Sequence, residues 1–484
     1  MLGVDLVIPD ISYLEEKAQK VRAILITHGH EDHTGALPYV LPRLRVPVYA
    51  PRLAYGLIQV KLREHGIRDA ALHPLEPGRP LRLGPFRVEA FRVCHSIPDS
   101  VGLAIETPLG LVVHSGDFKI DHTPVDGRPT DFVQLGQLGA QGVFLLLSDS
   151  TYAEVPGYTP SEQVVGEALD RIIGEAPGRV MVATFASLIS RVQQVIDAAR
   201  RHGRKVAVVG RSMVENVQMA RQLGYLKAPE GVLRPWKEIK SLPPKRIVLV
   251  TTGAQGEPTS ALVRIANQDH REIEVIPGDT IVVSASPIPG NETVIARTID
   301  NLCRQGARVL YHRNALVHVH GHASQEELKL LLNLLRPAYF VPVHGEYRHL
   351  VAHAQLAQAL GVRQENTFVL ENGHVLELTP KGGQVVERLP CGPIYVDGLH
   401  LWEPESVVLR DRQALSRDGL VVVILAVDKS TGGLAREPEV VSSGFVDPAQ
   451  HPDLMKNAAQ GVAEALARRG KVPLKWGYIN ATVK

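Results

Sequence analysis

The feature that most constrains this chain is the six-residue segment HGHEDH, which holds four potential metal ligands, His28, His30, Asp32 and His33. It directly follows residues 21–27, an apolar segment that predicts a buried strand. His28 and His30 are two residues apart on extended chain, so their side chains point the same way and can reach one ion. Asp32 and His33 fall on the next turn and can reach a second ion. Imidazole with carboxylate suits zinc or manganese, whereas a histidine-rich surface loop is the alternative interpretation.

Three more candidate ligands occupy the carboxyl ends of predicted strands. They are His95, Asp117 and His344. Two metal ions ~3.5–4 Å apart need a bridging carboxylate and further ligands, and Asp117 is the best candidate for the bridge. Each of the three residues, taken alone, is also compatible with a turn or core position. Their shared placement at strand ends supports a common site.

Composition excludes several classes of protein. The formal net charge of the 484 residues is +2, so a nucleic-acid binder would need a local basic groove. Three widely spaced cysteines exclude a disulfide framework and a cysteine zinc knuckle, and favour a reducing cytosol. The longest apolar run, residues 420–427, is far shorter than the ~18 residues of a membrane helix. The first ten residues lack the pattern of a signal peptide.

The order of predicted elements indicates an α/β protein. Strands dominate as far as Asp149, and from about 155 to 310 strands alternate with amphipathic helices. One of these is a predicted helix at 161–175 with Ser161 as its N-cap. The alternation predicts a parallel sheet with crossover helices in a separate domain. The tail after residue 400 holds one apolar strand and one helix.

The ordered motifs resemble a known superfamily. HGHEDH, the single His95, the SGD motif ending at Asp117 and the late His344 resemble the metallo-β-lactamase superfamily. The α/β segment inserted after SDS (148–150), with HVHGHA (318–323), resembles its β-CASP subgroup, which acts on nucleic acids. MLGVDLVIPDISYL, SASPIPGNE, PVHGEYRHL and LRDRQALSRDGLVVVIL resemble segments of the bacterial ribonuclease J family, and the similarity extends along almost the whole chain.

The resemblance implies an α/β fold class, a four-layer αβ/βα metallo-β-lactamase sandwich with an inserted β-CASP domain and a small C-terminal α/β domain. The expected domains are a first metallo-β-lactamase segment (1–155), the β-CASP domain (156–310), a second metallo-β-lactamase segment (311–395), and a linker with part of the C-terminal domain (396–484). Compared with the family, we expect the N-terminal segment and the end of the C-terminal domain to be absent.

The resemblance also implies a site with two divalent ions, zinc first, with manganese or magnesium as alternatives. His28, His30, His95 and Asp117 would hold one ion, and Asp32, His33, Asp117 and His344 the other. Asp149 would orient His322, which would stabilise charge at the scissile phosphate or act as general acid. The implied catalytic residues are Asp32, Asp117, Asp149 and His322.

A third implied set binds the RNA backbone and its 5′-phosphate. Its members lie in turns whose backbone N–H groups suit anions: Ser284, Ser286, Gly290, Asn291, His318, His320, Gly321, His322 and Ala323. Arg211, at a predicted strand-to-helix turn, is a further phosphate candidate, although a solvated arginine fits that position equally well. His320 stands where the family usually has serine, so we expect altered 5′-phosphate binding.

The implied function is metal-dependent hydrolysis of RNA by a 5′-to-3′ exonuclease with endonuclease activity, acting in mRNA decay and rRNA maturation. The expected partners are 5′-monophosphorylated RNA and a second copy of the chain in a homodimer or higher homo-oligomer, with no membrane, in the cytoplasm. Two alternatives remain at this point. One is a truncated, inactive RNA-binding subunit, and the other is a metallo-hydrolase of small esters or thioesters.

Overall fold

The structure is a computed structural model that describes residues 4–398, 400–403, 406–428, 430–431, 433–447 and 450–468. It divides into two compact units, residues 11–390 and residues 1–10 together with 391–484. Helices and sheets are mixed in both units, as the sequence predicts. In the part of the chain that the structure describes, no helix has the length and apolar character to cross a membrane.

The strands of the first unit form four sheets. They are β2 (Ile24–Leu25), β3 (Val48–Ala50), β4 (Leu72–Pro74), β5 (Leu81–Leu83), β6 (Phe86–Arg92), β7 (Val101–Thr107), β8 (Gly110–His114), β9 (Val143–Asp149), β10 (Val180–Ala183), β11 (Lys205–Val209), β12 (Ile247–Thr251), β13 (Thr280–Val283), β14 (Arg308–Tyr311), β15 (Tyr339–Val343), β16 (His374–Thr379) and β17 (Gly382–Arg388), all preceded by β1 (Leu6–Pro9) of the other unit.

The helices cover these sheets. They are α1 (Ser12–Glu16), α2 (Glu31–Thr34), α3 (Leu37–Leu44), α4 (Arg52–Glu64), α5 (Phe132–Gln141), α6 (Gln163–Glu175), α7 (Ile189–Arg201), α8 (Arg211–Gln222), α9 (Trp236–Ile239), α10 (Ala261–Ala266), α11 (Glu292–Arg304), α12 (Gln325–Leu335) and α13 (Tyr347–Ala359).

A six-stranded sheet in the order β15-β9-β8-β7-β6-β5 carries much of the candidate site. Its strands β15, β9 and β8 are parallel, whereas β7, β6 and β5 continue in antiparallel pairs. The carboxyl ends of the three parallel strands therefore meet at one edge. Phe91, Leu146 and Phe340 are fully buried in the core between this sheet and its helices.

The five-stranded sheet β11-β12-β10-β13-β14 is parallel throughout. This confirms the parallel sheet predicted from alternating strands and helices. Its strands β10, β12 and β13 are buried along their whole lengths, which explains why they are continuous apolar runs rather than alternating ones. Helix α6 spans Gln163–Glu175, and Glu162 already has helical dihedrals without a side-chain cap hydrogen bond. The Ser161 hydroxyl accepts a hydrogen bond from the backbone N–H of Gln163 at 3.1 Å, which is the capping contact predicted for Ser161.

The second unit contains two small sheets. β1 pairs with β18 (Pro393–Asp397), which pairs in turn with β19 (His400–Trp402). β20 (Leu420–Ile424) and β21 (Glu439–Ser443) form a hairpin, accompanied by α14 (Val407–Asp418) and α15 (Pro452–Ala467). Residues 1–10 were expected in the first metallo-β-lactamase segment, whereas β1 is a strand of the second unit. The boundaries at 155, 310 and 395 stay predictions.

Candidate metal centre

The HGHEDH segment follows β2 and runs into the short helix α2. His30 is the extended residue that precedes α2, and Asp32 and His33 lie in that helix. Gly29 is required by space, because a Cβ atom there would lie 2.6 Å from Leu57 Cδ1 and 3.2 Å from Ala54 Cα on α4. Close packing against α4 therefore sets the position of the histidines on either side.

The first donor group consists of His28, His30 and His95. His30 Nδ1 lies 3.1 Å from His28 Nε2 and 3.0 Å from His95 Nε2. Zinc–nitrogen bonds of ~2.1 Å in a tetrahedron separate two ligand nitrogens by about 3.4 Å. The three nitrogen atoms thus converge at nearly the spacing of ligands to a single ion.

The second donor group consists of Asp32, His33, Asp117 and His344, whose ligand atoms all lie within 4.8 Å of one another. His344 Nε2 is 3.4 Å from an oxygen of each of the two aspartates. His33 Nε2 is 3.2 Å from Asp117 Oδ2. These residues come from α2 and from the edge of the six-stranded sheet, where β8 and β15 end.

Asp117 Oδ2 connects the two groups. This oxygen lies 3.6 Å from His28 Nε2 and 3.9 Å from His95 Nε2 in the first group. It lies 3.2 Å from His33 and 3.4 Å from His344 in the second. Asp117 is only 3% exposed, so the carboxylate has almost no access to water and depends on these partners.

Burial sets the protonation of the first group. It lowers the pKa of His28 and of His95 well below the usual value, and lowers that of His30 to about 4. Neutral imidazole is the form that ligates metals, so these three side chains are ready to bind near neutral pH. His95 is also oriented, because its Nδ1 donates a hydrogen bond to the carbonyl of Gly321 at 2.7 Å and leaves Nε2 facing the group.

His344 has the opposite tendency. Burial lowers its pKa, but hydrogen bonds with Asp149 and Asp32 outweigh burial and raise the pKa to about 11. An ion bound at this residue would replace the proton. The backbone of His344 is in the left-handed region, with φ of 55°, and its carbonyl oxygen lies 3.0 Å from Thr151 Oγ1.

Beside the donor groups, Asp149 and His322 form a hydrogen-bonded pair. His322 Nδ1 donates to Asp149 Oδ2 at 2.7 Å. Burial alone would raise the pKa of Asp149, but the interaction with His322 outweighs burial and holds this pKa well below its usual range. Burial alone would lower the pKa of His322, but Asp149 more than offsets burial and raises this pKa above its usual value. His322 also offers a ligand atom within 4.8 Å of those of His95 and Asp117.

Thr151 is a site residue that the sequence analysis missed. Its Oγ1 donates to Asp149 Oδ1 at 2.8 Å and lies 2.9 Å from His344 Nδ1. It therefore ties the Asp149–His322 pair to the second donor group. A hydroxyl two residues after an aspartate is a common turn feature, so no sequence signal separates it from an ordinary loop threonine.

The proposed RNA-binding residues occupy varied environments. Ser284 is fully buried, and its hydroxyl donates to Val317 O at 2.6 Å and receives a hydrogen bond from Arg191. Gly290 is exposed with φ of 97°. Asn291 is the N-cap of α11, Ser286 is half-buried, and Arg211 is exposed at the start of α8. The buried side chain of Ser284 therefore supports the turn rather than facing solvent.

The HVHGHA segment lies directly against the donor groups. Gly321 packs on His95 and Ala323 is 2% exposed, whereas His318 is largely buried, and burial lowers its pKa to about 3. His320 stacks on Tyr152 with ring centroids 3.6 Å apart and planes 7° apart. The sequence analysis did not identify Tyr152 as a partner of this segment.

A buried ionic network beneath the site was also missed. Arg191 is fully buried on α7, and its guanidinium donates to Glu162 Oε2 at 2.6 Å and to Val317 O at 2.8 Å. Lys119, two residues after Asp117, lies 3.5 Å from Asp121 and 3.8 Å from Glu162. The network connects the chain around Asp117 to the parallel sheet through residues far apart in sequence.

Models of four known protein families match most of the chain. Residues 5–133 match the "Beta-lactamase superfamily domain", and residues 177–302 match "Ribonuclease J, beta-CASP domain". Residues 306–370 match the "Zn-dependent metallo-hydrolase RNA specificity domain", and 407–484 match the "Ribonuclease J C-terminal domain". These matches confirm the predicted fold class, a metallo-β-lactamase domain combined with a β-CASP domain.

Curated relatives agree with these matches. Ribonuclease J of Synechocystis is 48% identical over 449 residues, which cover 92% of this chain and 70% of the relative. Ribonuclease J of Thermus thermophilus is 45% identical over 487 residues, covering 98% and 83%. Ribonuclease J2 of Bacillus subtilis is 42% identical over 461 residues, covering 95% and 83%.

Among solved structures, a match at low sequence identity shares the fold. It is a protein of unknown function from Enterococcus faecalis, with a TM-score of 0.51 over 75% of this chain and 81% of that one. Its sequence is 14% identical, so the likeness concerns the fold alone.

Proposed function

Because the chain belongs to the ribonuclease J family, we infer that it is a metal-dependent ribonuclease that hydrolyses RNA phosphodiester bonds. The relatives do not favour the two alternatives, an inactive RNA-binding subunit and a small-molecule ester hydrolase. We propose in addition that two divalent ions, zinc first, bind at the two donor groups. The first group would hold one ion, the second group the other, and Asp117 would contact both.

The observation that carries this proposal is the position of Asp117 Oδ2. A single carboxylate oxygen lies within 3.9 Å of ring nitrogens from both donor groups. Without cations, the five imidazoles and two carboxylates of the donor groups, packed this closely, would be costly to bury. Three neutral histidines with one carboxylate form a donor set suited to zinc.

When bound, divalent ions supply Lewis acidity and a nucleophilic water at neutral pH. The residues of the chain perform the remaining tasks. Asp149 holds Nδ1–H of His322 and so presents Nε2 to the scissile phosphate. In this role His322 gives a proton to the leaving 3′-oxygen, and the product keeps a 5′-phosphate. Thr151 contacts both Asp149 and His344 and so holds the two side chains in position during this transfer.

We propose that the chain recognises a 5′-monophosphate through the turns that contain Ser286, Gly290 and Asn291 and through the HVHGHA segment. Removal of nucleotides from the 5′ end, internal cleavage, and roles in mRNA decay and rRNA maturation follow from the family. Assembly as a homodimer or higher homo-oligomer and a cytoplasmic location also stay predictions.

The test is a cleavage assay on the full chain with 5′-labelled, monophosphorylated RNA, with and without added zinc or manganese. Release of labelled mononucleotide indicates 5′ exonuclease activity, and labelled 5′-terminal fragments of several nucleotides indicate endonuclease activity. The double variant His30→Ala/Asp32→Ala is expected to be inactive. The control His65→Ala/Asp69→Ala changes an exposed pair of the same residue types. Metal-independent cleavage, or hydrolysis of simple thioesters in place of RNA, would refute the proposal.

A further inference from the structure

The parallel sheet carries a basic cavity that the mechanism above does not use. The cavity has a volume of about 780 Å³ and lies beside β11 and α8. Six cationic side chains line it, against one carboxylate among the described residues, that of Glu272. The six are Arg211, Arg221, Arg234, Lys237, Arg264 and Arg271.

Few of these cations are neutralised. Arg234 lies 3.7 Å from Glu238, and Arg264 lies 3.9 Å from Asp269. Within the described ranges, no ion pair is found for Arg211, Arg221, Lys237 or Arg271. In a chain whose net charge is only +2, this is a local concentration of positive charge that attracts anions. Arginine in particular offers paired donors that match phosphate oxygens.

The cavity is not only charged. Its apolar lining includes Val214, Leu233, Ile273 and the indole of Trp236. The Trp236 Nε1 atom is buried and has no hydrogen-bond acceptor in the part of the chain that the structure describes. The exposed part of the indole lies beside this apolar surface, and an aromatic face of this kind suits the stacking of a nucleobase.

The cavity also opens at a functional edge of the sheet. Gly210 and Arg211, which follow β11, line it and also line a neighbouring cavity of about 590 Å³ that reaches Thr184 after β10 and Thr252 after β12. Ser284, after β13, belongs to the same carboxyl edge because the strands are parallel. Ligands of open α/β sheets bind beyond the carboxyl ends of strands. The N-terminus of α8 adds a positive dipole at this edge beside Arg211, whereas Arg221 lies in the last turn of the helix.

From these features we propose that the basic cavity is a second nucleotide-binding site, which holds one nucleoside phosphate unit with its base against Trp236 and its phosphate on Arg221 and Arg271. The volume accommodates a nucleotide, since ligand sites usually measure about 300–1,000 Å³. The occupant is either a nucleotide of the RNA strand that continues along the carboxyl edge or a free nucleotide. The first case rests on the proposed function, whereas the second does not.

The experiment measures binding to the full, metal-loaded chain without requiring cleavage. One probe is a 12-nucleotide, 5′-phosphorylated oligouridylate with phosphorothioate linkages, and the other is ADP. The variant Arg221→Ala/Arg271→Ala removes two exposed cations of the cavity that make no side-chain hydrogen bond in the described ranges. The control Arg82→Ala/Arg171→Ala removes two equally exposed arginines outside the cavity.

Loss of the one phosphate held by Arg221 and Arg271 lowers the slope of log K against log salt by about 0.7 for a single strand, which is roughly 5-fold weaker binding at 0.1 M salt. This loss for the 12-mer, with the control unchanged, supports the RNA strand as occupant. A comparable loss for ADP supports a free nucleotide. Equal binding of both probes by the variant and the control would overturn the proposal. Since no cleavage is measured, an inactive wild-type chain would refute the ribonuclease and leave this test valid.

Discussion

Replacing Gly321 by alanine is expected to damage the metal centre without touching a ligand. A Cβ atom at this position would lie 2.7 Å from Cε1 and 2.8 Å from Nδ1 of His95, and 2.9 Å from Cβ of Ser96. Favourable carbon contacts begin at about 3.5 Å, so the His95 ring must move by roughly 0.8 Å. Metal–ligand distances tolerate about 0.2 Å. The same movement strains the hydrogen bond from His95 to the Gly321 carbonyl.

Loss of such an orienting contact typically lowers metal affinity 10–100-fold, and we expect a loss of this size for Gly321→Ala. The overpacking should also cost about 1–3 kcal/mol of unfolding free energy. The assays are zinc titration in a competing chelator and urea denaturation. Gly136→Ala is the matched control, because Gly136 is exposed in α5 with no atom within 4 Å of an added Cβ. That change should leave metal affinity unaltered and raise stability by about 0.5–1 kcal/mol.

The reasoning would be refuted by a folded Gly321→Ala chain that binds zinc as tightly as the wild type. A variant that loses stability but keeps its metal affinity would show that the segment around Gly321, rather than His95, takes up the strain.

Other predictions concern the groups around the centre. Asp149→Asn should lower the cleavage rate about 10²–10⁴-fold because His322 loses the partner that orients it. Single-turnover kinetics at unchanged metal content measure this rate, and an undiminished rate would contradict the role of the Asp149–His322 pair. Arg191→Met should destabilise the chain by about 3–5 kcal/mol, because buried Glu162 keeps only the more distant Lys119, 3.8 Å away, as a cationic partner. Adding Glu162→Gln should recover much of the loss in urea denaturation, and no recovery would argue against the ion pair. A chelator should abolish cleavage and lower the melting temperature, and zinc or manganese should restore both; cleavage that survives the chelator would count against metal dependence.

The sequence was most informative where ligands follow strands. His95, Asp117 and His344 could be grouped from the sequence because each comes directly after an apolar strand, and in the fold they lie beside the HGHEDH segment. The parallel sheet was predictable for a similar reason, since buried parallel strands are continuous apolar runs. The order of the strands was not predictable, because it depends on which crossover each helix makes.

Contacts between distant side chains could not be predicted. Arg191 and Glu162 are separated by 29 residues, and nothing in either local pattern marks a buried ion pair. The stack of His320 on Tyr152 and the double role of Thr151 likewise arise only when β9 and β15 lie side by side. The need for glycine at position 29 also comes from tertiary packing, because the approach of α4 leaves no room there for a side chain.

The most direct test of the two-ion centre is the number of zinc ions per chain, measured by mass spectrometry of metals after dialysis. We expect two ions in the wild-type chain and at most one in Asp117→Asn, because both donor groups share this carboxylate. Asp121→Asn, which changes a second buried carboxylate four residues away, should keep two ions. A wild-type chain that holds one ion, or an Asp117→Asn chain that keeps two, would contradict the bridging role of Asp117.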